Sequence, residues 1–203
     1  EWADVIHRDY NHPCIIVWGM LNESWGVPCI GSDRRQQAFA RALYHMAHSL
    51  DDSRLVISND GWEMTDTDVC AFHSYGHGEE GDVRQQELFT RSLKSVDGLG
   101  AVVEKPLFAG DVKYGGQPVV LSEFGGISVS EEEQGWGYTS VEKTGFLEVY
   151  KRILKAVYES EMLCGFCYTQ LADVEQEVNG LLTEDHNYKF DPEKLREITE
   201  GKR

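Results

Sequence analysis

The sequence predicts an α/β protein in which parallel strands are covered by helices. The main observation is that short apolar runs alternate with longer segments whose apolar residues recur every three or four positions. A second observation is that two long loops, at 59–68 and 124–138, each follow a predicted strand. Parallel α/β proteins place their active sites at the carboxyl ends of strands, so we expect function to reside in these loops.

The first predicted strand and the first predicted helix are the clearest local signals. Residues 14–18 form a β-branched run typical of a strand that is buried on both faces, with Trp18 in the core. A helix is predicted over 33–50, and Ser32 or Asp33 can cap its first turn. The same half of the chain contains two further predicted strands, at 55–58 and 69–73, and a second predicted helix at 82–95.

The second half of the chain continues the alternation. Thr139 stands three positions before Glu142 in the pattern of a capping box, which predicts a helix from Thr139 to about residue 160. The remaining predicted elements are a strand at 119–122, a strand at 163–168 and a helix at 191–200. This order of strands and helices is typical of a parallel sheet with helices outside it.

The charge balance excludes several classes of partner. The chain has 19 Lys and Arg against 35 Asp and Glu, a formal net charge of −16. Nucleic acids and anionic membranes are bound through clustered Lys and Arg, so we expect neither as a partner. Apolar residues make up 41% of the chain, and no stretch approaches about 18 unbroken apolar residues, so we expect a globular protein without a transmembrane helix.

The five cysteines do not predict a disulfide framework, because their number is odd and their density is low. Cys164 and Cys167 form a C-x-x-C pair, a spacing found in redox and zinc sites. They lie in an apolar run that predicts a buried strand, so we favour core packing for both. No group of His, Cys and Asp has the spacing of metal ligands, and we expect neither a metal nor a redox cofactor.

Two glutamates stand out among the polar residues at strand ends. Glu23 follows the first predicted strand and Glu123 follows the fourth. The carboxyl ends of strands in one parallel sheet converge, so these side chains could face each other across a cleft. Two carboxylates that flank a glycosidic bond act as acid/base and nucleophile in glycoside hydrolysis. On spacing alone, the alternative that each is a solvated loop residue stays open.

Three segments resemble the signatures of glycoside hydrolase family 2, which includes β-galactosidases, β-glucuronidases and β-mannosidases. The first reads R-D-Y-N-H-P-C-I-I-V-W over 8–18 and continues to the pair Asn22 and Glu23. The second reads V-L-S-E-F-G-G over 120–126, and the third covers 168–181. The three segments occur in the family's order and together span nearly the whole chain.

The resemblance implies a fold, a mechanism and roles for individual residues. The implied fold is a TIM (β/α)8 barrel, and the implied mechanism is retaining hydrolysis through a covalent glycosyl-enzyme. Glu23 would be the acid/base and Glu123 the nucleophile. Asn22 would bind the 2-hydroxyl of the sugar, and Tyr75 would hydrogen-bond the nucleophile.

The resemblance also implies how much of the barrel the chain contains. Counting the first predicted strand as strand 4, the chain holds strands 4 to 8 only. We therefore expect residues 1–203 to be a partial catalytic barrel domain, an excerpt of a longer enzyme. We expect the excerpt to be inactive by itself, because part of the sugar pocket would be missing. Its unpaired strand edges are expected to allow self-association.

The sequence gives one indication of the sugar, which we expect to be the substrate and binding partner. β-Glucuronidases of the family carry an Asn-x-Lys motif that pairs with the sugar carboxylate, and no convincing match lies near the last strand. We therefore expect a neutral sugar, with galactose first. The alternatives are β-glucuronidase or β-mannosidase specificity, a non-catalytic carbohydrate-binding relative, a purely structural chain and an inverting hydrolase.

Further residues are candidates for sugar contacts, each with a structural alternative. His73 lies on the expected interior side of its strand, where a hydrogen-bonded core histidine is equally expected. Trp25 follows the acid/base loop, and Trp136 lies in a glycine-flanked loop that could close over a sugar; either could instead pack on a loop. Tyr168 stands where many relatives have Trp.

Three weaker signals have a structural explanation. A turn explains Asp60 and Trp62. The acidic run 131–133 is typical of a solvated face, and Asn11 and His12 are predicted to be structural.

Overall fold

The computed structural model describes residues 1–129 and 135–201, so the acidic run at 131–133 lies outside the described residues. The chain divides into two compact units, the first formed by Glu1–His73 with Val103–Ser122 and the second by Ser74–Val102 with Glu123–Arg203. Across the described ranges, no helix combines the length and the apolar character needed to cross a membrane. The helices are α1 (Trp2–Asp9), α2 (Arg34–Leu50), α3 (Val83–Ser92), α4 (Val96–Leu99), α5 (Phe146–Tyr158) and α6 (Pro192–Thr199), and the strands are β1 (Val17–Gly19), β2 (Leu55–Ile57), β3 (Cys70–Ser74), β4 (Val119–Gly125), β5 (Ile127–Val129), β6 (Thr139–Val141) and β7 (Leu163–Thr169).

The first unit is built on a parallel pair of strands with two helices packed against it. β1 pairs with β2 in parallel, with Trp18 opposite Val56. Both residues are buried in one apolar cluster with Ile6 of α1 and Ala47 of α2. Of the two predicted caps of α2, Ser32 and Asp33, the structure shows Asp33, whose carboxylate accepts a hydrogen bond from a backbone N–H of the first turn. The strand–helix–strand order predicted for this part of the chain is therefore present.

The segment before β1 is not a strand, which corrects part of the strand predicted at 14–18. Ile16 is 76% exposed, and β1 contains three residues. Arg54 holds this segment by donating from Nε to the Ile15 carbonyl at 2.7 Å and from Nη2 to the Tyr10 carbonyl at 2.8 Å. Because a guanidinium satisfies these carbonyls, the segment needs no partner strand.

A buried ion pair supports the Arg54 contacts. The Asp51 side chain has no exposed surface, and Arg54 Nη1 lies 2.6 Å from Asp51 Oδ2. Trp18 Nε1 donates to the same oxygen at 2.9 Å. Burial alone would raise the pKa of the Asp51 carboxyl, but hydrogen bonds from Ser53, Trp18 and Arg54 outweigh burial and hold the pKa below its usual value. Residues 8–18, which resemble the first family signature, are thus hydrogen-bonded to the loop between α2 and β2.

β4 contributes residues to both units. In the first unit its neighbour is β3, which is buried along its whole length, and in the second unit its neighbour is β7. Beyond β4, the Gly126 amide donates to the Thr169 carbonyl at 2.8 Å. The end of β4 and the end of β7 therefore lie side by side in the second unit.

The capping-box prediction at Thr139 is wrong. Residues 139–141 form β6, which pairs in parallel with β5. α5 begins only at Phe146, and its N-cap is Gly145, which has no side chain to cap the helix. Thr139 and Val141 are both buried, and burial of β-branched residues against a partner strand outweighs the local capping signal.

The second unit buries one face of α5 against α6. Phe146 stacks on Phe190 with ring centroids 3.7 Å apart, and the Tyr150 hydroxyl lies 2.8 Å from Thr199 Oγ1 of α6. Asp191 caps α6 from the position predicted for the start of the last helix. The final strand–helix unit of the prediction is therefore confirmed.

β7 is only partly buried, which corrects the prediction of core packing for the C-x-x-C pair. Cys164 and Cys167 are both exposed, whereas Cys70 on β3 is buried. β7 stands at the end of its strand order, so it is an edge strand of the described sheet. An edge strand with incompletely covered faces leaves side chains on both faces in contact with solvent.

Candidate active site

Glu23 lies in a turn that follows β1 and is hydrogen-bonded to the loop after β2. Asn22 and Asp60 form a parallel bridge, and the Glu23 amide donates to the Asp60 carbonyl at 2.9 Å. Glu23 and Ser24 have φ angles of 51° and 61°, in the left-handed region that residues with a side chain rarely adopt. The glutamate that the sequence singles out therefore has a strained backbone conformation.

His73, on β3, is the partner of the Glu23 carboxyl group. Its Nδ1 lies 2.7 Å from Glu23 Oε1, and its Nε2 lies 3.4 Å from Asp60 Oδ1. Ser122 donates to the same Asp60 oxygen at 2.6 Å. Trp62 packs edge-on against the His73 ring at 5.8 Å, and His73 is 1% exposed. These contacts make His73 a buried support for Glu23.

The second unit contains the other predicted catalytic carboxylate. Glu123 lies on β4, and the Tyr75 hydroxyl donates to its Oε2 at 2.5 Å, so the hydrogen bond expected between these residues is present. Burial raises the pKa of the Tyr75 phenol well above its usual range, and the hydrogen bond to Glu123 raises it further. The phenol therefore stays protonated and acts as the donor, which favours the ionised form of Glu123.

Tyr75 is itself held by an aromatic ring from the loop before β6. Tyr138 stacks on Tyr75 with ring centroids 3.5 Å apart and ring planes 1° apart. Trp136 meets Tyr138 edge-on at 5.3 Å, and both of these rings are more than two-fifths exposed. Gly126 provides the space for this packing, because a Cβ atom there would lie 2.4 Å from the Tyr138 ring. The result is a partly exposed aromatic surface beside the Glu123–Tyr75 pair.

A buried histidine and an arginine fix the turn that follows Glu123. His77 donates from Nε2 to the Gly125 carbonyl at 2.9 Å, and burial lowers the pKa of its imidazole. Arg152 of α5 donates to the carbonyls of His77 and Gly78, each at 2.8 Å. Sequence reasoning missed both residues, although His77 stands two positions after Tyr75 in a polar cluster at a strand end.

The other predicted sugar contacts fall into two groups. Trp25 is 76% exposed and Asn22 is also exposed, so both are accessible to a ligand. Tyr168 is packed like a core residue, with its ring edge-on to Phe124 at 5.6 Å and to Tyr150 at 5.0 Å. Both neighbours are buried side chains of the second unit, and a sugar contact of Tyr168 stays a prediction.

Each unit supplies one carboxyl group in its own electrostatic setting. Glu123 accepts a hydrogen bond from a protonated phenol, which suits a carboxylate that stays ionised and attacks an electrophilic carbon. Glu23 Oε1 lies 2.7 Å from Nδ1 of the buried His73 imidazole.

Comparison with protein families gives a match over almost the whole chain. The family model described as "Glycosyl hydrolases family 2, TIM barrel domain" matches residues 2–201. A putative β-glucuronidase of Formosa agariphila is 38% identical over 55 residues, which are 26% of this chain and 7% of that protein.

Solved structures with a similar fold come from bacterial enzymes. A Faecalibacterium prausnitzii β-glucuronidase superposes with a TM-score of 0.68 at 20% identity, covering 99% of this chain and 34% of that one. A family 2 β-galacturonidase from Eisenbergiella tayi gives a TM-score of 0.67 at 19% identity, covering 97% of this chain and 35% of that one. The chain thus spans about a third of the length of these structures. The match confirms the predicted fold class, parallel β/α units of a TIM barrel.

Proposed function

Because the chain belongs to glycosyl hydrolase family 2, matching its TIM barrel domain, we propose that it supplies both catalytic carboxyl groups of a retaining β-glycoside hydrolase. The observation that carries this proposal is the distinct partner of each carboxyl group. His73 lies 2.7 Å from Glu23, and Tyr75 lies 2.5 Å from Glu123. The activity is proposed for the full-length protein, since the chain spans about a third of its solved relatives.

In the first step of this mechanism, Glu123 attacks the anomeric carbon of the sugar. The bond from that carbon to the aglycone oxygen breaks, its electron pair stays on the oxygen, and Glu23 delivers the proton that the oxygen needs. The sugar is then bound as an ester to Glu123. Tyr75 supports this step because its hydrogen bond keeps the Glu123 carboxylate ionised and aimed.

In the second step, Glu23 acts as a base. It takes a proton from a water molecule, the water oxygen attacks the anomeric carbon, and the ester bond to Glu123 breaks. His73 holds the Glu23 carboxyl through both steps from its buried position. Two successive inversions at the anomeric carbon retain its configuration.

The proposed sugar contacts combine hydrogen-bonding groups with exposed aromatic rings. Asn22 precedes Glu23 and is exposed, as a residue that binds the 2-hydroxyl must be. The rings of Trp136 and Tyr138, together with Trp25, offer apolar faces that suit the C–H faces of sugar rings. These residues are proposed to bind the sugar or the aglycone.

The sugar itself is proposed to be galactose, with a uronic acid as the second candidate. An Asn-x-Lys triplet follows the last strand at Asn187 and Lys189, but Lys189 Nζ lies 2.9 Å from Asp173 Oδ2 and donates to the Val178 carbonyl at 2.9 Å, which favours a neutral sugar. The second candidate is favoured by the names of the relatives, which are β-glucuronidases and β-galacturonidases. A panel of aryl β-galactoside, glucuronide, galacturonide and mannoside substrates distinguishes them: we expect the highest kcat/KM on the galactoside, and a higher value on either uronide would select the second candidate.

The catalytic roles are tested by two substitutions in the full-length protein. Glu123→Gln should abolish turnover of every aryl glycoside, because no nucleophile is left. Glu23→Gln should lower turnover of poor leaving groups by about 10²–10⁴-fold and spare 2,4-dinitrophenyl glycosides, which need little acid assistance. Wild-type turnover in Glu123→Gln would overturn the proposal, and carbohydrate binding without any turnover would indicate a non-catalytic relative.

A further inference from the structure

The backbone at the predicted acid/base adopts a conformation that must be imposed from outside. Glu23 and Ser24 are consecutive residues with φ angles of 51° and 61°. A residue with a side chain is destabilised in the left-handed region by steric conflict between its Cβ atom and the backbone. Glu23 also makes its 2.7 Å contact with His73 from this conformation. Any relaxation of the turn would therefore move the Glu23 carboxyl away from its partner.

A buried hydrogen-bond network imposes this conformation through Ser24. The Ser24 amide donates to Asn59 Oδ1 at 3.0 Å, and Asn59 Nδ2 donates back to Ser24 Oγ at 3.0 Å. Ser24 Oγ in turn donates to Glu63 Oε2 at 2.6 Å. Ser24, Asn59 and Glu63 are 3%, 0% and 9% exposed, so water does not compete for these bonds.

Glu63, which accepts the hydrogen bond from Ser24, is itself held in place by contacts with the surrounding chain. Its amide donates to the Pro106 carbonyl at 2.7 Å, and Lys105 Nζ lies 3.5 Å from its Oε2. Gly31 leaves room for its other oxygen, because a Cβ atom at Gly31 would lie 2.6 Å from Glu63 Oε1. Glu63 is therefore a buried carboxylate whose place is fixed by the surrounding backbone.

From these contacts we infer that Glu63 and Asn59, acting through Ser24, are positioning residues for the acid/base Glu23. This inference rests on the proposed function, because it concerns the aim of the proton donor. Neither Glu63 nor Asn59 is assigned a place at the reacting atoms. They fix the turn so that the Glu23 carboxyl group can contact His73 and also donate a proton to the leaving oxygen.

The inference is tested by how strongly the rate depends on the leaving group. A mispositioned acid slows substrates that need protonation and spares those that do not. In the full-length protein, Glu63→Ala and Ser24→Ala should lower kcat/KM for phenyl glycosides about tenfold more than for 2,4-dinitrophenyl glycosides, a part of the full general-acid effect. Glu63→Gln keeps an oxygen that accepts from Ser24 Oγ, so it should keep the wild-type ratio within about twofold.

Asp51→Asn is the matched control. Asp51 is another buried, hydrogen-bonded carboxylate of the same unit, and its contacts are with Trp18, Ser53 and Arg54. Its substitution should lower stability and leave the ratio between the two substrates unchanged, which separates positioning from loss of stability.

The outcomes distinguish this inference from the proposed function. If Glu23→Gln shows the leaving-group effect while Ser24→Ala and Glu63→Ala keep the wild-type ratio, the positioning role is wrong and the proposed function stands. Ser24→Ala decides alone if Glu63→Ala fails to fold. If Glu23→Gln itself keeps the wild-type ratio, the acid/base assignment fails and the positioning role fails with it.

Discussion

Tyr75 meets the predicted nucleophile through a single atom, its hydroxyl oxygen, 2.5 Å from Glu123 Oε2. Tyr75→Phe removes that oxygen and keeps the ring that stacks on Tyr138. Because a donated hydrogen bond stabilises the ionised carboxylate, its loss should raise the pH at which the nucleophile becomes active. A hydrogen bond to a charged group contributes about 1.5–3 kcal/mol, so the acidic limb of kcat/KM against pH should move up by about one to two pH units.

A pH profile of the full-length protein on an aryl glycoside makes this measurement. Tyr114→Phe is the control, because the Tyr114 hydroxyl donates to the backbone carbonyl of Gln117 in the first unit, and Tyr114 is 41% exposed. An acidic limb that stays in place in Tyr75→Phe would show that the phenol does not set the ionisation of Glu123.

Asp51 gives a prediction about stability. Hydrogen bonds hold the pKa of the Asp51 carboxyl below its usual value despite its burial. The ionised Asp51 therefore stabilises the fold fully above about pH 4, the pKa of Asp in the unfolded chain. This stabilisation is lost as the pH falls toward the pKa of Asp51 in the folded protein. Asp51→Asn leaves Arg54 without its buried partner and should lower the free energy of unfolding at pH 7 by about 3 kcal/mol. Urea unfolding at pH 7 and pH 3 measures this, and an equal loss at both values would contradict the ionic role.

Residue types predicted the carboxyl groups and the phenol, but not the residues that fix backbone turns. Glu23 and Glu123 lie in motifs that resemble the family signatures, whereas the role of Tyr75 is implied by the resemblance alone. Arg54 and Arg152 act on backbone carbonyls, whose positions depend on turns that the sequence does not show. Their roles therefore became visible only in the structure.

At the scale of elements, local signals succeeded where burial agreed with them. The helix predicted at 33–50 and the last helix are both present, and Asp33 and Asp191 cap them. The helix predicted from Thr139 failed, because pairing of β6 with β5 competes with the capping signal. α1 was missed although its apolar face packs in the core of the first unit.

The turn between β4 and β5 gives the prediction for this scale. Gly126→Ala should lose stability and turnover, because a Cβ atom there would lie 2.4 Å from the Tyr138 ring that supports Tyr75. Gly116→Ala is the matched control, since Gly116 also has a positive φ and has no atom within 4 Å of the added Cβ. Both variants should lose about 1–2 kcal/mol to backbone strain.

The loss of turnover should be confined to Gly126→Ala. Chemical unfolding and kcat on an aryl glycoside, measured on the same preparations, separate the two effects. Equal turnover in the two variants would show that the stack of Tyr138 on Tyr75 does not support catalysis.

At the scale of the whole molecule, the motifs predicted the family and its barrel, and the family match confirms both. They did not predict the division into two compact units, because that division depends on contacts distant in sequence. The expectation that residues 1–203 form one partial catalytic domain stays a prediction, as does self-association through unpaired edges.

The edge strand β7 allows the barrel prediction to be tested. Cys164 and Cys167 are exposed on β7, whereas Cys70 on β3 is buried. We expect a thiol reagent to modify Cys164 and Cys167 in the 203-residue chain and to modify them more slowly in the full-length protein, where further barrel strands would cover β7. Cys70 should be protected in both proteins and serves as the internal reference. Equal labelling of Cys164 and Cys167 in both would show that β7 remains an open edge.

The most direct test of the central claim is to trap the covalent intermediate. In a 2-deoxy-2-fluoro glycoside, the fluorine slows both steps of the reaction. A good leaving group speeds up the first step only, so the glycosyl-enzyme accumulates. With the full-length protein, mass spectrometry of the peptides should find the sugar attached to Glu123. An adduct on Glu23 or Glu63, or complete hydrolysis with no adduct on any residue, would contradict the assignment of Glu123 as the nucleophile.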